Sequence, residues 1–245
     1  MAWSSDAGLS GGPVRHPAQA GAFILDWDGV LVDTRLDFKP IRQKYFGSKA
    51  QSERNTSFPI STAPPPIPLL EAASELPEAL REEVMGEIRR IEIEGAERAT
   101  PVAGVEELIA WLDGVEAVKG TGKPRPWAVV SRNCRDSITL AAERCGIVLP
   151  AVLLSREEPY VKPDPRALIL AAERLGVNLS DCVMVGDFLY DLQAARNAGI
   201  PSVLVRSSGA EWESLADFAY ATVSDFVEAL EAFDLTGHAR DRNER

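Results

Sequence analysis

Positive charge is in short supply in this chain: 26 Lys and Arg face 37 Asp and Glu among 245 residues, a formal net charge of -11. That balance argues against nucleic acid or an anionic membrane as a general partner, and an anionic ligand would need locally gathered cations. Cysteine is scarce too, with Cys134, Cys145 and Cys182 odd in number and forming no CxxC pair. A disulfide framework is excluded, and reduced core thiols in a cytoplasmic protein are the simplest expectation. The two histidines, His16 and His238, lie near the ends of the chain, which leaves histidine catalysis and zinc ligation without support. No apolar run reaches the roughly 18 residues a membrane helix needs. Residues 1–21 are rich in Gly, Ser, Ala and Pro without an apolar stretch, so they read as a flexible leader rather than a signal peptide. What remains, 45% hydrophobic and 26% charged, is the composition of an ordinary globular protein of one or two domains.

The second half alternates short apolar runs with amphipathic stretches. Residues 127–131, 151–155, 182–185 and 202–205 are rich in Val and Leu and read as buried strands; residues 136–145, 165–175 and 191–197 read as helices. Gly146, Gly176 and Gly199 follow those helices as stop signals. Strands separated by helices of this length imply right-handed crossovers, hence a Rossmann-like, doubly wound parallel α/β sheet. The pattern breaks between residues 35 and 100. Residues 47–68 are rich in Ser, Thr and Pro, including Pro64-Pro65-Pro66, whereas Leu76, Leu80, Val84, Ile88 and Ile91 recur at helical spacing. The expected organisation is a leader (1–21), an α/β core (22–34 and 101–236), a small helical insertion (35–100) and a charged, frayed tail (237–245).

The most informative segment is Ala22-Phe-Ile-Leu-Asp-Trp-Asp-Gly-Val-Leu-Val-Asp-Thr34. An apolar run delivers two carboxylates, Asp26 and Asp28, to a strand's carboxyl end. The intervening Trp27 points away, so the two acids share a face. Acids this close repel unless a cation lies between them or one keeps its proton. In an open parallel sheet, ligands sit beyond the carboxyl ends of the strands. The polar residues following the other strands are Ser131 and Asn133, then Lys162, then Asp187 and Asp191. Acids, a hydroxyl and one lysine gathered at one edge suit phosphoryl transfer, which needs a nucleophile, charge neutralisation and protonation of the leaving oxygen. Mg²⁺ would take carboxylates such as Asp26 and Asp187.

In this order, the four segments resemble the haloacid dehalogenase-like superfamily over about residues 22–207, whose members are mostly Mg²⁺-dependent phosphatases. The resemblance implies that Asp26 is the nucleophile forming an aspartyl-phosphate and that Asp28 is the general acid, then base. Ser131, Asn133 and Lys162 would bind phosphate. Asp26, Asp187 and the backbone carbonyl of Asp28 would hold Mg²⁺, with Asp191 supporting the metal or orienting Lys162. Residues 35–100 sit where the family inserts a helical cap. Val30 stands where phosphatases of this group commonly carry Thr, and the acid at Asp28 speaks against dehalogenation. The substrate implied is a small phosphorylated metabolite.

Asp-x-Asp-Gly also opens calcium loops, but those need Gly where Leu31 stands and polar ligands where Val30 and Val32 stand. Gly120-Thr-Gly-Lys123 lacks the spacing of a phosphate loop and reads as a surface turn. Arg42, Lys44, Lys49 and Arg54 could meet an anionic substrate but read first as a solvated face. The alternative functions are a sugar phosphomutase using the same aspartyl-phosphate and a non-catalytic phospho-ligand or protein-binding module.

Overall fold

Four consecutive apolar residues, Ala22–Leu25, form β1, every one of them buried. The computed structural model describes residues 15–52, 68–115, 123–206, 209 and 211–243. The other core strands are β4 (Trp127–Val130), β5 (Val152–Leu154), β6 (Cys182–Gly186), β7 (Ser202–Leu204) and β8 (Phe218–Ala219). They pair in the order β5-β4-β1-β6-β7-β8, all parallel. Leu25 stands opposite both Val129 and Val185, so the carboxyl ends of β4, β1 and β6 lie side by side. The chain winds outward from β1 through β4 to β5, then returns to β6 on the other side. That reversal is the topological switch point at which such sheets bind ligands.

Period-two alternation sends the strand residues to opposite faces. Phe23, Leu25 and Trp27 pack with Val129 and Val185 against α4 (Val105–Leu112), α5 (Arg135–Cys145) and α8 (Val223–Asn243). Ala22, Ile24, Val130 and Met184 pack on the other face against α6 (Arg166–Leu175) and α7 (Leu189–Ala198). The helices end at Gly146, Gly176 and Gly199 as expected, each left-handed. Among the described residues, no helix is long and apolar enough to cross a membrane.

The described residues between Thr34 and Thr100 make up a mostly helical segment. A short antiparallel ribbon, β2 (Val32–Asp33) with β3 (Thr100–Pro101), ties its two ends together. Between them lie α1 (Lys39–Ser52), α2 (Leu69–Ser74) and α3 (Glu78–Glu97). Ile41, Leu69, Ala73, Val84 and Ile88 make a cluster of their own, distinct from the two beside the sheet. The helical stripe was anticipated, but α1 was not, because its sequence carries no clear apolar period.

Two expectations need correction. The leader expected to reach Gly21 is packed from His16 on: that ring stacks on Phe233 at 4.4 Å and caps the short turn Pro17–Gln19. The tail expected to fray continues as α8 to Asn243. The strand β8 and the helix α8 complete the sheet and one face and were not foreseen. Pro64-Pro65-Pro66, Arg54, residues 120–122 and residues 1–14 lie outside the described residues.

Candidate active site

Asp26 directly follows β1, and its N–H donates to the Val185 carbonyl at 2.9 Å, extending the ladder by one step. The chain then turns sharply, with the Leu31 and Val32 N–H groups both donating to the Trp27 carbonyl at 2.9 and 3.1 Å. Gly29 permits that turn. It adopts φ 83°, and a Cβ there would stand 1.9 Å from Asp187 Oδ2. Only glycine combines the left-handed backbone with room for that carboxylate. Asp28 is fixed by Thr34, whose N–H donates to Oδ1 at 3.0 Å and whose Oγ1 donates to Oδ2 at 2.6 Å. Burial raises the Asp28 pKa above the ordinary carboxylate range, and the two Thr34 hydrogen bonds oppose the rise.

The end of β6 supplies the next two acids. Asp191, at the start of α7, packs so tightly under Gly186 that a Cβ there would meet its Cβ at 2.2 Å. Asp191 Oδ2 accepts the Phe188 N–H at 3.1 Å, and Oδ1 pairs with Lys162 Nζ at 2.6 Å. Lys162, 1% exposed, also reaches Asp26 Oδ1 at 2.7 Å. Burial works against its charge, but Asp191 and Asp26 outweigh that and hold its pKa above the usual lysine value. The lysine thus lies between Asp26 and Asp191.

One lysine is too little for this much negative charge. Asp26, Asp187 and Asp191 each offer an oxygen within 4.8 Å of the others. Burial and then the Asp191 charge push Asp26 up to about 7, against the pull of Lys162. Burial and the Asp26, Asp191 and Asp28 charges push Asp187 up to about 8. Carboxyls raised in this way mark a site that a hard divalent cation would relieve, and the all-oxygen donor set fits Mg²⁺. The Asp28 carboxylate is not in this group, and Thr34 donates to both of its oxygens.

Ser131 and Asn133 sit in the loop after β4. Ser131 Oγ accepts the Asn133 N–H at 3.1 Å, and the Ser131 N–H donates to the Leu154 carbonyl at 2.8 Å. Asn133 lines a cavity of about 560 Å³ together with Asp26, Asp28 and Asp187; Ser131 and Lys162 are buried and are not among its lining residues.

Several residues at the site were missed by sequence reasoning. Glu92 of α3 is 2% exposed, ion-pairs with Arg156 and accepts the Cys134 N–H at 3.0 Å. It therefore joins the helical unit to the loop carrying Ser131 and Asn133. Its signal was present: it falls four residues after Ile88, an acid in a core register. Arg132 pairs with Glu71 of α2 through two bonds of 3.0 and 2.7 Å and donates to the Lys162 carbonyl. Arg35 and Arg206 line the cavity, as does Arg42, which the sequence named only as a candidate. Lys44 instead pairs with Glu83 and Glu87 on the exposed side of the unit. The side chain of Lys49 lies outside the described residues.

A parallel sheet that gathers acids and one lysine at its switch point defines a class, the doubly wound α/β proteins with a ligand site beyond the carboxyl ends of the strands. The family is then shown directly: the profile of the haloacid dehalogenase-like hydrolases matches residues 20–199, and the chain belongs to that family. A phosphoglycolate phosphatase of Xylella fastidiosa is 29% identical over 198 residues, covering 74% of this chain and 78% of that one. An N-acetylmuramic acid 6-phosphate phosphatase of Pseudomonas aeruginosa is 29% identical over 196 residues, covering 76% and 81%. The crystal structure of a hydrolase from Pseudomonas syringae superposes with a TM-score of 0.62 at 20% identity, covering 86% and 98%, and so shares the fold.

Proposed function

We propose that this hydrolase is a Mg²⁺-dependent phosphatase that cleaves a phosphate monoester of a small metabolite through an aspartyl-phosphate. The observation that carries the reading is the arrangement around Lys162, with Asp26 at 2.7 Å and Asp191 at 2.6 Å beside a third acid, Asp187. Phosphatase relatives that share about three quarters of the chain support it.

In this reading Asp26 attacks phosphorus in line while the bond to the leaving alcohol breaks. Asp28 gives its proton to the departing oxygen. That role requires a protonated acid at working pH, which is the direction in which burial moves Asp28. Asp28 then takes a proton from water as the water attacks phosphorus, releasing phosphate and restoring Asp26. Lys162 orients the Asp26 carboxylate and, with Ser131 and Asn133, receives the phosphoryl oxygens. Asp26, Asp187 and the Asp28 carbonyl would hold Mg²⁺, which when bound neutralises charge on the non-bridging oxygens. The unit formed by α1, α2 and α3 acts as a cap. Its Glu71 and Glu92 pair with core arginines beside the phosphate loop and help close the site.

The test is phosphate release from a panel of phosphorylated metabolites, with Mg²⁺ and with chelator, following free alcohol alongside phosphate. Equal amounts of both products, lost on chelation and in Asp26→Asn, are expected. Normal turnover by folded Asp26→Asn would overturn the nucleophile assignment. Phosphate passing to an added sugar instead of water would favour the mutase.

A further inference from the structure

Two non-glycine residues among those described hold a left-handed backbone, Arg35 at φ 54° and Arg206 at φ 65°. Residues with a Cβ rarely adopt that conformation, and where they do it is often at a functional site. Both are arginines, both are exposed, and both line the cavity described above, with Asp26 and Asp187. They reach it from distant parts of the chain, Arg35 from the entry to the cap and Arg206 from the residue after Val205 beyond β7.

Their commitments differ. Arg35 leans on Asp33, with Nε 3.8 Å from Oδ2, and its carbonyl accepts from Arg98 Nη2 at 3.3 Å. Arg132, a third cavity arginine, is taken by Glu71. The Arg206 side chain makes no hydrogen bond or ion pair with any described residue, yet its charge acts on both Asp28 and Asp187. The phosphoryl-transfer roles above use neither Arg35 nor Arg206. The cavity, at about 560 Å³, has room for much more than a phosphate, and Leu36, Phe38, Leu69 and Ile88 give it an apolar wall.

We propose that Arg206, seconded by Arg35 and Arg42, recognises a second anionic group on the leaving-group side of the substrate. The substrate class is then a phosphate monoester whose alcohol portion carries a carboxylate or a further phosphate, with its uncharged body against the apolar wall. The inference rests on the phosphatase reading. The guanidinium fork is suited to both anions. A second negative group entering beside Asp26, Asp28 and Asp187 would be repelled without such a partner, in a chain whose net charge is -11.

The experiment compares kcat/KM within matched pairs, in Mg²⁺. N-acetylmuramic acid 6-phosphate and N-acetylglucosamine 6-phosphate differ by a lactyl carboxylate; glucose 1,6-bisphosphate and glucose 6-phosphate differ by a phosphate. The wild-type protein is expected to favour the doubly anionic member of one pair by about 10- to 100-fold, the worth of a charge-assisted pair. Which pair shows the preference identifies the anion. Arg206→Gln should collapse that ratio toward one, chiefly through KM, and Arg206→Lys should restore part of it. Arg206→Gly should collapse it as well while leaving Tm at or above the wild-type value, because glycine accepts the left-handed backbone. A preference that survives Arg206→Gln, or ratios of one for both pairs in the wild type, overturns the inference. Hydrolysis of p-nitrophenyl phosphate tells the two failures apart. Its turnover with ratios of one sinks this inference alone, whereas silence on every compound by folded protein sinks the phosphatase reading and this inference with it.

Discussion

Without a divalent cation, Asp26, Asp187 and Asp191 face one another with Lys162 as their near cation. Burial and mutual repulsion raise Asp26 from 3.8 to about 7 and Asp187 from 3.8 to about 8. In the window between those ordinary and raised values the native state holds protons that the unfolded chain has lost, so stability falls as pH rises. Two such groups set a ceiling of about 2.7 kcal/mol per pH unit on the slope. Relaxation and water entry keep the realised slope below that ceiling. With about 2–4 °C per kcal/mol for a chain of this size, the cation-free protein should melt several degrees lower near pH 8 than near pH 5. The loss should level off above about pH 8. Mg²⁺ at about a hundred times its Kd adds about 2.7 kcal/mol, or about 5–11 °C, near pH 8. Near pH 5, where the ligands hold protons, it should add far less. Thermal melts across this range in chelator and in Mg²⁺ measure both effects. Asp187→Asn is the control: it should raise the cation-free Tm near pH 8, flatten the slope and abolish the Mg²⁺ gain. A cation-free Tm that stays flat or climbs across the window would refute the reasoning, as would an equal Mg²⁺ gain at both ends.

Three further outcomes follow from the same geometry. Gly29→Ala must strain a φ of 83° and place a Cβ 1.9 Å from Asp187 Oδ2. It should cost about 1–2 kcal/mol and weaken the Mg²⁺ dependence of activity by about 10- to 100-fold, and an unchanged Mg²⁺ titration would contradict this. Glu92→Ala strands Arg156 in the core and should cost about 3–5 kcal/mol in urea unfolding; a loss within the range of a surface pair would show that the pair is not buried in solution. Thr34→Val removes the 2.6 Å bond that holds the Asp28 pKa down. The basic limb of kcat/KM should move to higher pH, because Asp28 then keeps its proton longer, and an unmoved limb would remove Asp28 from the acid role.

The local chemistry was legible along the chain. Alternation in Phe23–Trp27 sent Phe23, Leu25 and Trp27 one way and left Asp26 and Asp28 facing the cavity, a consequence of strand geometry that needs no partner. Apolar runs bounded by helices that stop at glycine dictated the parallel layers for the same reason. The tertiary structure alone decided what those acids face. Glu92, Arg132 and Arg206 lie in three separate segments, and nothing local marks them as neighbours of one cavity. The strand order sets β1 between β4 and β6, which brings Ser131, Asp26 and Asp187 to one edge from positions far apart in the chain. Burial did the rest: it raises a carboxyl near 4 toward 7 or 8 and leaves one lysine between two acids. Desolvation depends on every atom packed around a group, so its effect could not be read along the chain.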